Sequence, residues 1–239
     1  MTVLLTKFGT AVTYVFSSLG NYFLFCAESF RRILFPPLSL KLILQQMEFV
    51  GARSLVIIIM ASIMVGAVFG IQFGYIFRIF GVESLIGTAA SFSLSKELSP
   101  VIGSFLVTGR AGSAMAAEIA NMKINEQIDA MKVMAVNPIA YLASPRIVAS
   151  ILMVPLLAGF FTVFGVLSAY VIGVFLFDVD TGIFVDKIRW LNRPSDIWEG
   201  LQKAAIFGAI YSSVSCYKGF QARGGAQGVG EALPEVPWE

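Results

Sequence analysis

The chain alternates long uncharged runs with short clusters of charge. Ser54–Phe77 and Ile147–Phe177 contain no Asp, Glu, Lys or Arg, and each exceeds the roughly 20 residues a helix needs to cross a ~30 Å hydrocarbon core. Both are predicted to span a membrane. Ser84–Ala117 is as long but is interrupted by Lys96, Glu97, Pro100 and Arg110, while Leu201–Tyr217 is shorter and begins beside Glu199 and Lys203. Each is predicted as one further helix, which gives about four spans within residues 51–218. Alternating strands of the outer-membrane barrel kind are not visible, so helices must satisfy the backbone in lipid. The predicted class is all-α, a polytopic helical membrane protein.

The first fifty residues have a different rhythm. In the uncharged stretch Phe8–Ala27 and just before it, Thr6, Thr10, Thr13, Ser17 and Asn21 recur at helical steps and make a polar stripe opposite Phe8, Val12, Val15, Leu19 and Phe23. That pattern suits an interfacial or groove-packed helix, with a further span as the alternative. A secretory signal would need a basic start and a small-residue cleavage site, which Glu28–Arg32 and then Pro36 and Pro37 do not offer. After the prolines, Leu38–Val50 is expected as an elbow helix along the cytoplasmic surface. Residues 1–50 thus form an amphipathic and elbow unit, and residues 219–239 a Gly-rich cytoplasmic tail.

Composition agrees with the pattern: 57% of residues are hydrophobic, 13% are charged and the mean hydropathy is +0.80, well outside the soluble range of about 25% charged residues. Lys and Arg counted by loop put Arg31, Arg32, Lys41, Arg53, Lys123, Lys132, Arg146, Lys218 and Arg223 inside, against Arg78, Lys187, Arg189 and Arg193 outside. There is no histidine, and Cys26 and Cys216 form no CxxC pair, so His-based catalysis, a metal site and a disulfide framework are not expected. No phosphate-binding loop of the Gly-x-x-x-x-Gly-Lys-Ser/Thr kind occurs; if ATP drives this protein, another chain binds it. Gly219, Gly224, Gly225, Gly228 and Gly230 miss the GxGxxG spacing and read as a flexible loop.

Two further patterns concern helix contacts. Small residues recur four apart at Gly66, Gly70 and Gly74, at Gly109, Ser113 and Ala117, and at Gly165, Ala169 and Gly173. Such faces let helices approach closely, within one chain or between two. Ile124–Val136 is a short amphipathic segment, with Ile124, Ile128, Met131 and Met134 or Ala135 on one face and Glu126, Gln127, Asp129 and Lys132 on the rest. Asn137–Pro138 ends it. From the pattern alone it is either a juxtamembrane helix with a solvated face or a coupling helix that docks into a soluble partner.

The run Glu97-Leu98-Ser99-Pro100-Val101, then Gly109-Arg110-Ala111-Gly112-Ser113-Ala114, Ala117-Glu118-Ile119, Met122, Glu126-Gln127-Ile128-Asp129-Ala130-Met131, Met134, Pro138 and Pro145-Arg146 closely resembles the permease subunit of MlaE-type lipid ABC transporters. Order, spacing and identity agree over roughly fifty residues, and more loosely from the N-terminal helix to about Ala232. The resemblance implies a homodimer with a phospholipid cavity at its interface, cytoplasmic ABC ATPase subunits that carry ATP and Mg, and a substrate-binding partner of the mammalian-cell-entry type. It implies no cofactor on this chain and no nucleic acid.

By the same resemblance, Glu126, Gln127, Asp129 and Lys132 belong to the ATPase-coupling helix, and Lys96 and Glu97 lie near the lipid cavity. As residues, Lys96 and Glu97 suit a structural ion pair as well as a headgroup contact. Arg110 and Glu118, eight residues apart, are expected on one helix face at the cytoplasmic end, holding it against the coupling segment. The expected location is a bacterial inner membrane, with a plastid inner envelope as the alternative. Ser99 stands where the family usually has glycine. The family continues into one last membrane helix, whereas here Leu233–Glu239 is too short to cross a bilayer. An ATP-independent channel or secondary carrier using Lys96, Glu97 and Arg110 is the competing function.

Overall fold

The computed structural model describes residues 2–34 and 39–222, and among them all regular structure is helical. The helices are α1 (Thr2–Leu34), α2 (Leu40–Val50), α3 (Ala52–Phe80), α4 (Ile86–Ser93), α5 (Ser99–Val107), α6 (Ser113–Ile124), α7 (Gln127–Val133), α8 (Ser144–Leu176), α9 (Thr181–Leu191) and α10 (Pro194–Gln221). Two π turns, Leu94–Leu98 and Thr108–Gly112, join α4, α5 and α6 into one continuous rod, and a third, Ile139–Ala143, leads into α8.

Leu40–Phe80 and Ile139–Leu176 are long and apolar enough to cross a membrane. The α4–α6 rod and α10 are comparably long but carry charge. The apolar pattern puts the start of the last helix at Leu201; the helix in fact starts at Pro194. Its charged first turns stay helical because Asp196, Glu199 and Lys203 all find partners on the neighbouring rod.

The core forms around α8, which packs on α2, α3, α4, α5 and α10. Ile58, Leu94, Val107, Met115, Leu157 and Phe161 are enclosed in it. The outward faces are apolar too: Met60 and Met64 on α3, Leu156 and Val163 on α8, and Ile206 and Ile210 on α10 are all at least half exposed, a surface suited to lipid rather than water. The interior in turn holds Ser54, Ser62, Ser95, Ser104, Ser150 and Ser212. Several of these hydroxyls donate to carbonyls of their own helix, as Ser150 Oγ does to Arg146 O at 2.8 Å and Ser212 Oγ to Gly208 O at 2.7 Å. Where the hydroxyl is spent on its own helix, as in these two, a small polar side chain lets helices approach with its donor paired.

Two of the three small-residue stripes meet each other. A Cβ on Gly66 would sit 2.7 Å from both Cα and the carbonyl carbon of Gly165, and one on Gly70 would sit 3.2 Å from Cα of Ala169. Helices α3 and α8 therefore cross backbone against backbone. The third stripe has no such partner: Gly109, Ser113 and Ala117 are exposed, and a Cβ at Gly109 would meet nothing within 4 Å.

The N-terminal helix packs on a face that its polar stripe did not single out. The side chains of Thr6, Phe8, Thr10, Val12 and Val15 lie outside the described residues. Of the others, Ser17, Asn21, Leu19 and Phe23 are all exposed, while Tyr22, Phe25, Cys26 and Ser29 face the protein. Tyr22 stacks edge-on to Tyr217 at 5.3 Å and bonds Ser213 at 2.8 Å, which docks α1 on the last turns of α10. The elbow is a single-residue break at Gly51, where a Cβ would overlap the Met153 side chain of α8. Gly219 belongs to α10, against Ile119, and the tail beyond residue 222 lies outside the described residues.

Candidate functional site

Lys96 and Glu97 lie in the first π turn. Adjacent positions on a helix diverge, so the two do not pair with each other. Each reaches instead to α10. Lys96 Nζ donates to Asp196 at 3.3 Å and lies 3.0 Å from Glu199, and Lys203 Nζ lies 2.6 Å from Glu97.

Pro100 explains a further contact. It has no N–H to offer the preceding turn, and Lys203 Nζ donates to the freed carbonyl of Lys96 at 3.1 Å. Gly200 lies so close to the Ser95 carbonyl that a Cβ there would overlap it. Two lysines and three carboxylates thus stitch a widened helical turn to the start of α10. Beneath them a narrow cavity of about 160 Å³ is lined by Ser95, Pro100, Ala158, Thr162, Ile197 and Leu201. This is below the ~300 Å³ at which ligand pockets begin, so a whole phospholipid needs walls this cavity does not have.

Arg110 lies in the second π turn and turns its side chain to the backbone of the elbow. Its Nη1 donates to Phe49 O at 2.8 Å and to Ser54 Oγ at 3.1 Å. A carbonyl, a hydroxyl and the Phe49 ring, 5.3 Å from the guanidinium carbon, hold it in place of a carboxylate. Arg110 therefore clamps the elbow between α2 and α3. Glu118 takes a separate partner, accepting from Arg146 Nη2 at 2.8 Å, and Arg146 is 3% exposed with a second bond to Leu142 O. The two charged groups thus reach separate partners, Arg110 the elbow and Glu118 the start of α8. Neither holds the coupling segment directly.

That segment is shorter than its apolar pattern predicted. Ile124 closes α6, and α7 runs only from Gln127 to Val133. Glu126 before it and Ala135 after it both take left-handed backbone, with φ of 58° and 59°. The exit is a Schellman turn, with Val136 N donating to Met131 O at 2.9 Å and Ala135 N to Lys132 O at 3.0 Å.

Ile128 is buried and Met131 is half-exposed at most, whereas Met134 and Ala135, expected on the same face, are exposed because the turn carries them off it. Val133 and Met134 end up 88% and 67% exposed, beside the exposed Glu126, Gln127, Asp129 and Lys132. Lys132, which hydrogen-bonds Asp129 at 2.8 Å, and then Lys123 hold the Asp129 carboxyl below its ordinary range.

Asn137 both ends this tip and starts the next helix. Its Oδ1 accepts from Ile139 N at 2.9 Å and Ala140 N at 3.2 Å, and its Nδ2 donates to Glu28 of α1 at 3.3 Å. The tip is thus tied to α6, α8 and α1 together. Nothing in the sequence pattern assigned Asn137, Arg146 or Glu28 to these clusters. For Asp196, Glu199 and Lys203 the available signal was their spacing of three and four residues at the head of an apolar helix. Among the described residues no group of His, Cys, Asp and Glu is placed to hold a metal ion.

A family model described as permease MlaE matches residues 43–235. A probable ABC transporter permease protein of Rickettsia felis is 39% identical over 215 residues, covering 90% of this chain and 83% of that protein. The intermembrane phospholipid transport system permease protein MlaE of Haemophilus influenzae is 33% identical over 196 residues, covering 80% and 74% respectively. The chloroplastic protein trigalactosyldiacylglycerol 1 of Arabidopsis thaliana is 40% identical over 189 residues, 79% of this chain and 54% of that protein.

Proposed function

The chain belongs to the MlaE permease family, and we propose that it is the membrane subunit of an ABC transporter that moves phospholipid between membranes. Separate cytoplasmic ATPase subunits bind ATP and Mg and dock on α7. A mammalian-cell-entry-type partner exchanges lipid on the far side, and the membrane is a bacterial inner membrane.

The observation that carries this reading is the construction of the α7 tip. Its exposed apolar end and charged flank offer a docking surface, and its base is fastened to three helices. Lys123 ties it to α6, Asn137 to α1, and the Glu118–Arg146 pair joins α6 to the start of α8. A push on the tip therefore moves the cytoplasmic ends of two long helices as one body. Arg110 extends the same body to the elbow at Gly51.

The unpartnered stripe of Gly109, Ser113 and Ala117 continues through exposed Val101 and Phe105 on the same rod. It supports a second copy of the chain as the missing wall of a lipid cavity. Lys96 and Glu97 would lie at the outer end of that cavity, held in shape by α10. No covalent chemistry falls to this chain. The double substitution Glu126→Lys with Asp129→Lys should abolish co-purification of the ATPase while leaving membrane insertion intact; undiminished co-purification would rule the coupling role out.

A further inference from the structure

The loop between α8 and α10 folds into an amphipathic helix of its own, α9. Asp180 caps it by accepting from Ile183 N at 3.0 Å, and Phe184, 1% exposed, plugs it into the protein between Gly87 and Gly173 and edge-on to Tyr170 at 5.3 Å. The backbone is therefore anchored, and the opposite face is free. Positions 183, 186, 187 and 190 lie on that face at three- and four-residue steps.

There Ile183, Asp186, Lys187, Arg189 and Trp190 line a shallow groove that is open to solvent along one side of α9. No ion pair or hydrogen bond within the chain engages the Asp186, Lys187 or Arg189 side chains among the described residues. Lys96, Glu97, Glu118, Asp129, Arg146 and Lys203, by contrast, are all paired. Lys187 Nζ stands 5.9 Å over the Trp190 ring, and Trp190 is 79% exposed. Exposed Trp198 and Ile197 extend the apolar band into α10. Aromatic and basic side chains on one amphipathic helix are the composition of a membrane–water interface.

We propose that this groove binds the zwitterionic headgroup of a phospholipid at the outer surface of the membrane. Lys187 takes the phosphate, Asp186 takes the ammonium, and Ile183 with Trp190 covers the glycerol and the first acyl carbons. The carboxylate decides the class of lipid. An anionic headgroup with no amine would leave Asp186 unpaired beside a phosphate, which repels it. The site is separate from the cavity expected at the dimer interface. It rests on the reading that this chain handles phospholipid.

The test uses the full chain in detergent with Trp198→Phe and Trp238→Phe, so that Trp190 alone reports by fluorescence. Dihexanoyl phosphatidylethanolamine, dihexanoyl phosphatidylglycerol and free phosphoethanolamine are titrated in turn. The ethanolamine lipid should saturate the signal about tenfold more tightly than the glycerol lipid, the scale of one charge-assisted contact, and more tightly than free phosphoethanolamine, which keeps both charges but lacks the glycerol and acyl carbons. Asp186→Asn should erase the preference over the glycerol lipid, and Lys187→Gln should weaken both lipids.

Equal affinity for the two lipids, a preference that survives Asp186→Asn, or equal binding of free phosphoethanolamine would overturn the assignment. ATP-driven lipid transfer by the assembled transporter is measured separately. Its presence with no headgroup preference at α9 sinks only this site, and its absence sinks the transport reading instead.

Discussion

Replacing Gly66 by alanine should separate the two longest apolar helices at their closest point. The new methyl carbon would lie 2.7 Å from Cα and the carbonyl carbon of Gly165, against the roughly 3.5–4.0 Å at which carbon pairs are at rest. Both obstructing atoms are backbone, so no rotamer change relieves the overlap, and α3 and α8 must part locally by about 1 Å. Overpacking costs about 1–3 kcal/mol, and a backbone-to-backbone clash belongs at the upper end. For a chain of this length that is a fall in melting temperature of roughly 6–12 °C, at 2–4 °C per kcal/mol.

The assay is thermal unfolding of the detergent-solubilised chain, with Gly109→Ala as the control. A methyl there meets nothing within 4 Å, so the change should stay within about 0.5 kcal/mol. Equal melting of the Gly66 variant and the parent would refute the close crossing. A large loss in the Gly109 variant would show that its stripe is covered within the chain.

The charge clusters give further outcomes. Glu97→Lys should destabilise the junction with the head of α10 by setting a third cation beside Lys96 and Lys203; adding Lys203→Glu should restore part of the loss, but not the bond to the Lys96 carbonyl, as thermal unfolding of the pair of variants would read. Glu118→Ala strands the enclosed Arg146 guanidinium and should cost about 2 kcal/mol, discounted from the ~3–5 of a fully buried pair because Glu118 is half exposed. Adding Arg146→Met should recover most of it in the same melt. The Asp129 carboxyl is lowered in the folded chain, so its contribution is complete above the unfolded value near pH 4 and is lost as pH falls through the lower folded value. Carboxyl NMR should find it ionised at every pH from about 5 upward, and a midpoint above the unfolded value would contradict the ion-pair geometry.

The apolar runs were legible because lipid imposes the same rule on every residue of a spanning helix. The α3–α8 stripes were legible as close-packing faces, though not as each other's partners, since four-residue spacing names a face and never its neighbour. Charge was harder to read. The extent of α10 was hidden because its first turns look like a loop until Lys96 and Glu97 supply the partners, a hundred residues away in sequence. For Arg110 and Glu118 the eight-residue spacing named a helix face but not the partners, since spacing along one helix never says which neighbour a side chain reaches. In the tip, Ile128 and Met131 kept to the expected pattern, while Met134 and Ala135 left it at a Schellman turn whose left-handed position holds alanine rather than the glycine that would have announced it.

Reconstitution tests the central claim most directly. Proteoliposomes carrying this chain with the ATPase and lipid-binding partner proposed for it should transfer labelled phospholipid only when ATP is hydrolysed, and Glu126→Lys with Asp129→Lys should stop transfer while leaving the chain inserted and folded. Transfer that continues without the ATPase, or that depends on an ion gradient, would contradict it.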